Sequence, residues 1–347
     1  MRFSKKRIFW YAVAAGLVVL GWQTGWWATA LTAGMLAVAL GLLALFRWVA
    51  EDFGMARLRA RSEALGAAYP AMIDCLRSAR SDDGRARVRF AVYGDTRGNR
   101  KTAALLMARV AEDNPDAVFH TGDIVRFGTP REFIRNHLDL LSLLKGVPVF
   151  CVPGNHDRGF RRKFRAFRVM AGDDRFAFDL GCCRFIGFNN SGRDRVSDEM
   201  LSWLDQVLSR PGAARKFVFF HIPPAFFEAV FAKDRCRRGF RRHADTLHEL
   251  FRCHGVDEVF MAHIHGFATH VFDGVRYTLT AGGGAPLSGR LERSGQTYHY
   301  LVLEAGPEGI SRKIVRPRFP GSDLTEWLSE PYGEDASPAS AAFQGSG

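Results

Sequence analysis

At 347 residues, 47% of them apolar, the chain exceeds one average domain and has an ordinary composition for a folded protein, so an α/β domain of roughly 250 residues plus an appendage is expected. Lys and Arg number 48 against 36 Asp and Glu, a formal charge of +12 that favours anionic partners: phosphates, acidic lipid headgroups or nucleic acid. The six cysteines (Cys75, Cys151, Cys182, Cys183, Cys236, Cys253) contain no Cys-x-x-Cys pair, which excludes a zinc ribbon and favours reduced structural thiols over a disulfide framework.

No charged residue lies between Arg7 and Arg47. One helix through that stretch would be about 58 Å long at about 1.5 Å per residue, against a hydrocarbon core of about 30 Å. The run Gly21-Trp22-Gln23-Thr24-Gly25-Trp26-Trp27 offers a turn and an aromatic belt, so a transmembrane helical hairpin is expected, with spans near 8–23 and 27–46. Basic residues outside both ends (Arg2, Lys5, Lys6, Arg7; Arg47, Arg57, Arg59, Arg61) place both termini in the cytoplasm. The expected location is thus the inner or cytoplasmic membrane, multi-pass, with the following domain facing the cytoplasm. A signal sequence or single anchor with an exported domain is the competing reading.

From Glu51 to about Arg80, Met55, Leu58, Leu65, Tyr69, Met72 and Leu76 recur at helical spacing, which predicts a connecting arm along the membrane surface or across the domain. Strands and helices then alternate. Strands are predicted at Val88–Tyr93, Ala117–His120, Val147–Val152, Phe176–Leu180, Arg184–Asn189, Lys216–Phe220, Val256–Met261, Thr269–Phe272, Arg276–Thr280 and Tyr298–Leu303. Helices are predicted from Thr102 and Arg131 and near Asp198–Leu208 and Arg241–Cys253. The implied division is a two-helix anchor over 1–50, the arm over 51–85, the main domain over 86–319 and a Ser-, Pro-, Ala- and Gly-rich, loosely ordered tail over 320–347.

Five polar motifs each end an apolar strand run: Gly94-Asp95-Thr96-Arg97, Gly122-Asp123, Gly154-Asn155-His156-Asp157, His221, and His263-Ile264-His265. Strand ends of α/β sheets are where ligands gather. Carboxylates, a carboxamide oxygen and imidazoles suit Mn, Fe or Zn rather than a thiolate-loving metal. Singly each motif is weak, since a lone Gly-Asp is usually a turn and a lone strand-end histidine is usually structural. Their joint order over residues 88 to 316 resembles the calcineurin-like metallophosphoesterase superfamily.

That resemblance implies a four-layer αββα sandwich holding two divalent metal ions that activate water for hydrolysis of a phosphoester or pyrophosphate. It implies that Asp123 bridges the ions, that Asp95 and His265 hold the first, and that Asn155, His221 and His263 hold the second. His156 is then expected to stabilise phosphoryl charge or protonate the leaving group, with Asp157 orienting it. Two positions depart from the family pattern: Arg97 stands where the first motif has histidine, and Ala262 where the last has glycine. The tyrosine with which purple acid phosphatases compensate is Arg126 here. Arg97 either grips a substrate phosphate or pairs with a local carboxylate, and the first ion either binds weakly, relies on carboxylates, one histidine and water, or recruits a group such as Asn99.

The loop Gly282-Gly283-Gly284-Ala285-Pro286 offers amides to substrate oxygens, with Gly283 as the candidate, or is a plain turn. Basic runs follow two of the motifs (Arg158, Arg161, Arg162, Lys163, Arg165, Arg168; Lys233, Arg235, Arg237, Arg238, Arg241, Arg242). Arg126 and Arg158 are candidate substrate contacts, and the runs suit a phosphate-containing small molecule or lipid-linked phosphate. Nucleic acid is the less favoured partner, for no recognisable module is present. The remaining histidines (His120, His137, His243, His248, His254, His270, His299) are read as structural. A membrane-anchored metallophosphoesterase is the main expectation, and a non-catalytic or one-metal membrane protein holding an anionic ligand is the alternative.

Overall fold

The computed structural model describes residues 26–80, 86–159, 163–193, 195–232, 238–318 and 326–333, with isolated positions before residue 26. The chain divides into two compact units, Met1–Ala56 and Arg57–Gly347. Helix α1 (Trp26–Leu65) passes through both. Its run of Ala, Leu, Met, Arg and Glu holds no residue that would stop a helix at position 50. The stop comes at Gly66, whose left-handed φ of 59° closes the last turn, with the Gly66 and Ala67 amides donating to Glu63 O and Ser62 O.

The two-helix anchor expected from the sequence finds no support among the described residues. Among the described residues no helix is long and apolar enough to cross a membrane. The expected first span, 8–23, lies almost wholly outside the described residues, and residues 27–46 begin a helix that continues unbroken past the expected boundary. What the first unit does show is apolar exposure: Leu31, Met35, Val38 and Leu42 are 62%, 67%, 64% and 62% exposed.

The second unit starts with the end of α1 and with α2 (Tyr69–Arg80), where Pro70 sits in the first turn, the place in a helix that tolerates its missing amide. Leu58, Tyr69, Met72 and Leu76 are buried, whereas Leu65 is exposed. Ser62 Oγ donates to Met170 O, Tyr69 Oη donates to Cys151 O, and the Tyr69 ring packs edge-on against Phe176 at 5.2 Å. The expected arm therefore belongs to the body of the domain.

Two six-stranded mixed sheets follow. The first has the order β12-β11-β10-β1-β2-β3, built from β1 (Val88–Tyr93), β2 (Ala117–His120), β3 (Val149–Cys151), β10 (Tyr300–Gly306), β11 (Gly309–Pro317) and β12 (Trp327–Pro331). The second has the order β4-β5-β6-β7-β9-β8, from β4 (Arg175–Leu180), β5 (Cys183–Phe188), β6 (Arg215–Phe219), β7 (Glu258–Met261), β8 (Phe267–Phe272) and β9 (Val275–Thr280). The helices are α3 (Arg100–Glu112), α4 (Pro130–Asn136), α5 (Arg165–Ala171), α6 (Asp198–Leu208), α7 (Ala225–Ala232) and α8 (Ala244–Cys253).

Phenylalanines join the two sheets. Phe119 stacks on Phe219 with centroids 4.3 Å apart, and Phe90 meets Phe217 at 4.8 Å and Phe185 at 5.1 Å. All five are buried, each worth about 1.5–3 kcal/mol of apolar burial. The five described cysteines are free thiols. The tail expectation is corrected in part, because β12 pairs antiparallel with β11, Trp327 lying opposite Pro317; the rest of 320–347 is largely outside the described residues.

The parallel cores place the site. β1, β2 and β3 run parallel with Tyr93 beside His120 and His120 beside Cys151, and β6 and β7 run parallel with Phe219 beside Phe260. The motifs that follow these strands thus leave the two sheets at common edges.

Candidate metal centre

Hydrogen bonds between the motif loops bring the ligand candidates together. Asp95, Arg97 and Gly98 donate their amides to Gly122 O, Asp123 O and Ile124 O at 2.9, 2.8 and 3.0 Å. Gly122 and Gly154 permit this closeness: a Cβ on Gly122 would stand 2.7 Å from Gly154 N, and one on Gly154 would stand 2.1 Å from Asp123 N. Asp95, Arg97, Asp123 and His263 hold left-handed backbones (φ 56°, 44°, 55° and 72°), a strain of order 1 kcal/mol or more each that the surrounding bonds sustain.

Asp95, Asp123 and His265 cluster, with ligand atoms within 4.8 Å of one another. His265 Nδ1–H donates to Pro286 O at 2.7 Å, which turns Nε2 toward Asp95 Oδ1 at 3.2 Å. Asp95 Oδ1 is itself buried without a hydrogen bond, while Asp95 Oδ2 accepts from the His263 amide at 3.0 Å. Next to this cluster, His221 Nδ1–H donates to Thr121 O at 2.9 Å, and its Nε2 lone pair faces Asn155 Oδ1 at 3.3 Å and Asp123 Oδ1 at 3.4 Å. His263 packs edge-on to His221, ring centroids 5.2 Å apart. An imidazole fixed by a backbone carbonyl and presenting its other nitrogen to acceptor oxygens is the arrangement of a metal ligand.

The electrostatics agree with this donor set. Burial, then the charge of Asp95, pushes the Asp123 carboxyl well above its ordinary range. Burial works the same way on Asp95, but the contacts from His265 and His221 outweigh it and hold that carboxyl low. Burial disfavours a charged His265, yet Asp95 outweighs it and raises the imidazole above its ordinary value. Burial and then His221 lower His263 to about 2. Two adjacent buried carboxyl groups, beside His221 and His263 imidazoles that burial keeps from charging, call for external positive charge, and the residues fit divalent ions.

A family description, calcineurin-like phosphoesterase, matches residues 88–267. The chain belongs to this family. It carries a phosphoester-hydrolase domain of the metal-dependent kind. Over 122 residues it is 32% identical to the glycerophosphodiester phosphodiesterase GpdQ of Enterobacter lignolyticus (strain SCF1), covering 32% of this chain and 43% of that protein. It is 26% identical over 205 residues to acid phosphatase type 7 of Mus musculus, covering 52% and 46%. The chain thus spans less than half the length of the curated relatives it matches. Among solved structures it shares its fold with GAP50, the anchor in the inner membrane complex of Plasmodium (TM-score 0.53, 16% identity, 71% of this chain and 89% of that one). Purple acid phosphatase PPD1 from yellow lupin gives a TM-score of 0.52 at 15% identity, over 71% and 54%.

Within the phosphoesterase domain, Arg97 occupies the mouth of the first cluster. Its Nη1 lies 3.4 Å from His265 Nε2, its Nε 4.0 Å from Asp123 Oδ2, and its Nη2 2.5 Å from His156 Nε2. His156 donates Nδ1–H to Arg126 O at 2.9 Å and its amide to Asp123 Oδ1 at 2.8 Å. Burial, and after it the Arg97 charge, lowers the His156 pKa.

Three expected roles are corrected. Asp157 does not orient His156: its carboxylate accepts amides from Gly154 (2.8 Å), Val125 (3.0 Å) and Ile124 (3.2 Å), and so clamps two loops. Burial, then Asp123, nevertheless raises its pKa to about 7. Asn99 is not a spare ligand, because it caps α3 by accepting the Thr102 amide and donates to Gly284 O at 2.9 Å. The Gly283 amide is committed to Gly94 O at 2.7 Å and is closed to substrate. Arg126 accepts from His156 on its carbonyl, and its side chain, the expected substrate contact, is exposed and lies over the Phe127 ring.

Sequence reasoning passed over Asn190, which accepts both the His221 and Ile222 amides on Oδ1 (3.1 and 2.9 Å) and so positions the His221 loop. Its place just after β5, next to β6, was the available signal. His120 is structural as expected, accepting the Gly122 amide at 3.1 Å on Nδ1 and lying 3.2 Å from Thr96 Oγ1. Arg161, Arg162, Lys233, Arg235 and Arg237 of the basic runs lie outside the described residues.

Proposed function

We propose that this protein is a metal-dependent phosphohydrolase acting on a phosphodiester or pyrophosphate bond. The observation that carries the reading is the convergence of Asp95 Oδ1, Asp123, Asn155 Oδ1, His221 Nε2 and His265 Nε2. Divalent ions held there would lower the pKa of a coordinated water and neutralise phosphoryl charge. Around them, His156 accepts from Arg97 through Nε2, so it holds the guanidinium in place and is not set to donate a proton. Arg97 then presents its fork to the phosphoryl oxygens. Likeness to proteins named phosphodiesterase and acid phosphatase supports the reaction class.

The position of Arg97 favours a second reading, in which its guanidinium replaces one ion and the chain holds a single metal. Metal content separates the two: purified full-length protein equilibrated with Mn²⁺ should carry two ions per chain in the first reading and one in the second. With bis(p-nitrophenyl) phosphate, turnover should require Mn²⁺ and fall about 100-fold or more in Asp123→Asn. Metal-independent turnover, or full activity in that variant, would sink the metal-dependent reading, and no turnover in any divalent metal would sink the enzyme claim. Exposed Leu31, Met35, Val38 and Leu42 support a further part of the reading, that the N-terminal unit associates with a membrane and that the substrate is lipid-linked. Release of the protein from membranes by alkaline carbonate would count against it.

A further inference from the structure

Glu228 stands on α7 with its side chain fully buried. A buried carboxylate is expensive to desolvate and a buried ion pair is weak support for stability on its own, so the question is what its donors join together. Its Oε2 accepts the Arg238 and Gly239 amides at 2.9 and 2.7 Å, and its Oε1 accepts from Arg290 Nη1 at 3.3 Å. The first two donors lie against the chain that leaves His221. The Phe240 amide donates to Pro223 O at 3.0 Å and the Ala225 amide to Phe240 O at 2.8 Å, and a Cβ on Gly239 would stand 2.8 Å from Ala225 Cα. The third donor belongs to the loop that seats His265. Ser288 donates its amide to His265 O at 2.8 Å and accepts the Arg290 amide on Oγ at 3.3 Å, while Pro286 O takes the Nδ1–H that turns His265 Nε2 toward Asp95. One carboxylate thus bridges the chain leaving His221 and the loop that orients His265.

We propose that Glu228 and Arg290 are positioning residues of the metal centre. Their ion pair holds the 286–290 loop against the chain leaving His221, and so sets the His265 ring for a divalent ion shared with Asp95. Both act through His265 rather than on the ion. This rests on the metal-dependent reading and adds to it two residues that lie outside every ligand motif.

The test is calorimetric titration of Mn²⁺ into metal-stripped full-length protein, well below its unfolding midpoint, for the wild type, Arg290→Met, Glu228→Gln and the double variant. Each single substitution should weaken one Mn²⁺ site about tenfold, the low end of what losing a ligand's supporting partner does, and the double variant should fall no further, because both remove the same contact. Arg290→Lys keeps a cation for Glu228 Oε1 and should recover most of the loss. Arg290 is partly exposed and its replacement leaves the amide bonds to Glu228 in place, so Arg290→Met decides the matter if Glu228→Gln does not fold. A role confined to stability would lower the unfolding midpoint and leave the Mn²⁺ affinity of the folded protein unchanged. That result would overturn the proposal, as would losses that multiply in the double variant. Binding needs no turnover, so a wild type that takes up Mn²⁺ and cleaves nothing would sink the hydrolase reading alone, and one that takes up no Mn²⁺ would sink both.

Discussion

At the scale of single residues, the site depends as much on what holds the ligands as on the ligands. Gly154 has no room for a side chain, since a Cβ would stand 2.1 Å from Asp123 N and 2.2 Å from its Oδ1. Gly154→Ala should displace the Asp123 carboxylate and lower turnover by about 100-fold, the usual effect of an ångström-scale misplacement, with Mn²⁺ content falling in parallel. Asp157 and His156 should separate by readout. Asp157→Ala leaves three loop amides without their acceptor and should cost about 3 kcal/mol or more in denaturant stability, whereas His156→Ala should lose turnover with its unfolding midpoint nearly unchanged. Equal midpoints for both variants would remove the clamp. The candidate ligands were legible as a group because chelation needs particular side chains at strand ends. Asp157, Gly283 and Asn190 were not, for their partners are backbone amides and carbonyls that no side-chain spacing reveals.

At the scale of elements, the mostly apolar strands were readable, β1 and β2 to the residue, because every residue of theirs but Arg89 is buried. β11 and β12 were harder: β11 interleaves Ser311, Arg312 and Lys313 with its apolar positions, and β12 sits past the apparent end of the domain at a sheet edge. The arm was seen as helical, but its attachment shows only in three dimensions, in the burial of Leu58, Tyr69 and Met72 and the bonds to Cys151 O and Met170 O. A piece beginning near residue 81 should therefore expose the faces of β3, β4 and α5 that this arm covers and should aggregate. One beginning at Arg57, where the second unit starts, should stay monomeric with a cooperative melt. Size-exclusion chromatography of the two pieces decides it, and a well-behaved shorter piece would make the arm dispensable.

At the scale of the whole molecule, burial of titratable groups couples stability to pH in both directions. Burial lowers His137 to about 4, His299 to about 4 and, with His137 adding to it, His120 to about 3. These imidazoles stay neutral in the folded chain while the unfolded chain takes up protons near pH 6.5, so their contribution is complete above 6.5 and is lost as pH falls toward 4. Asp157, raised to about 7, acts oppositely, favouring the folded state as pH falls below 7. The slope of the wild type mixes the two, and a difference isolates one. For His137, buried beside Cys151 with its Nε2 3.7 Å from the sulfur, the linkage between pH 7 and pH 5 amounts to about 2 kcal/mol. Urea unfolding of full-length protein should therefore show the wild type losing about 2 kcal/mol more over that interval than His137→Gln, whatever the offset between them at pH 7. Parallel pH profiles would mean that His137 does not stay neutral in the folded chain at pH 5, and the buried-neutral reading of the interior histidines would fall with it.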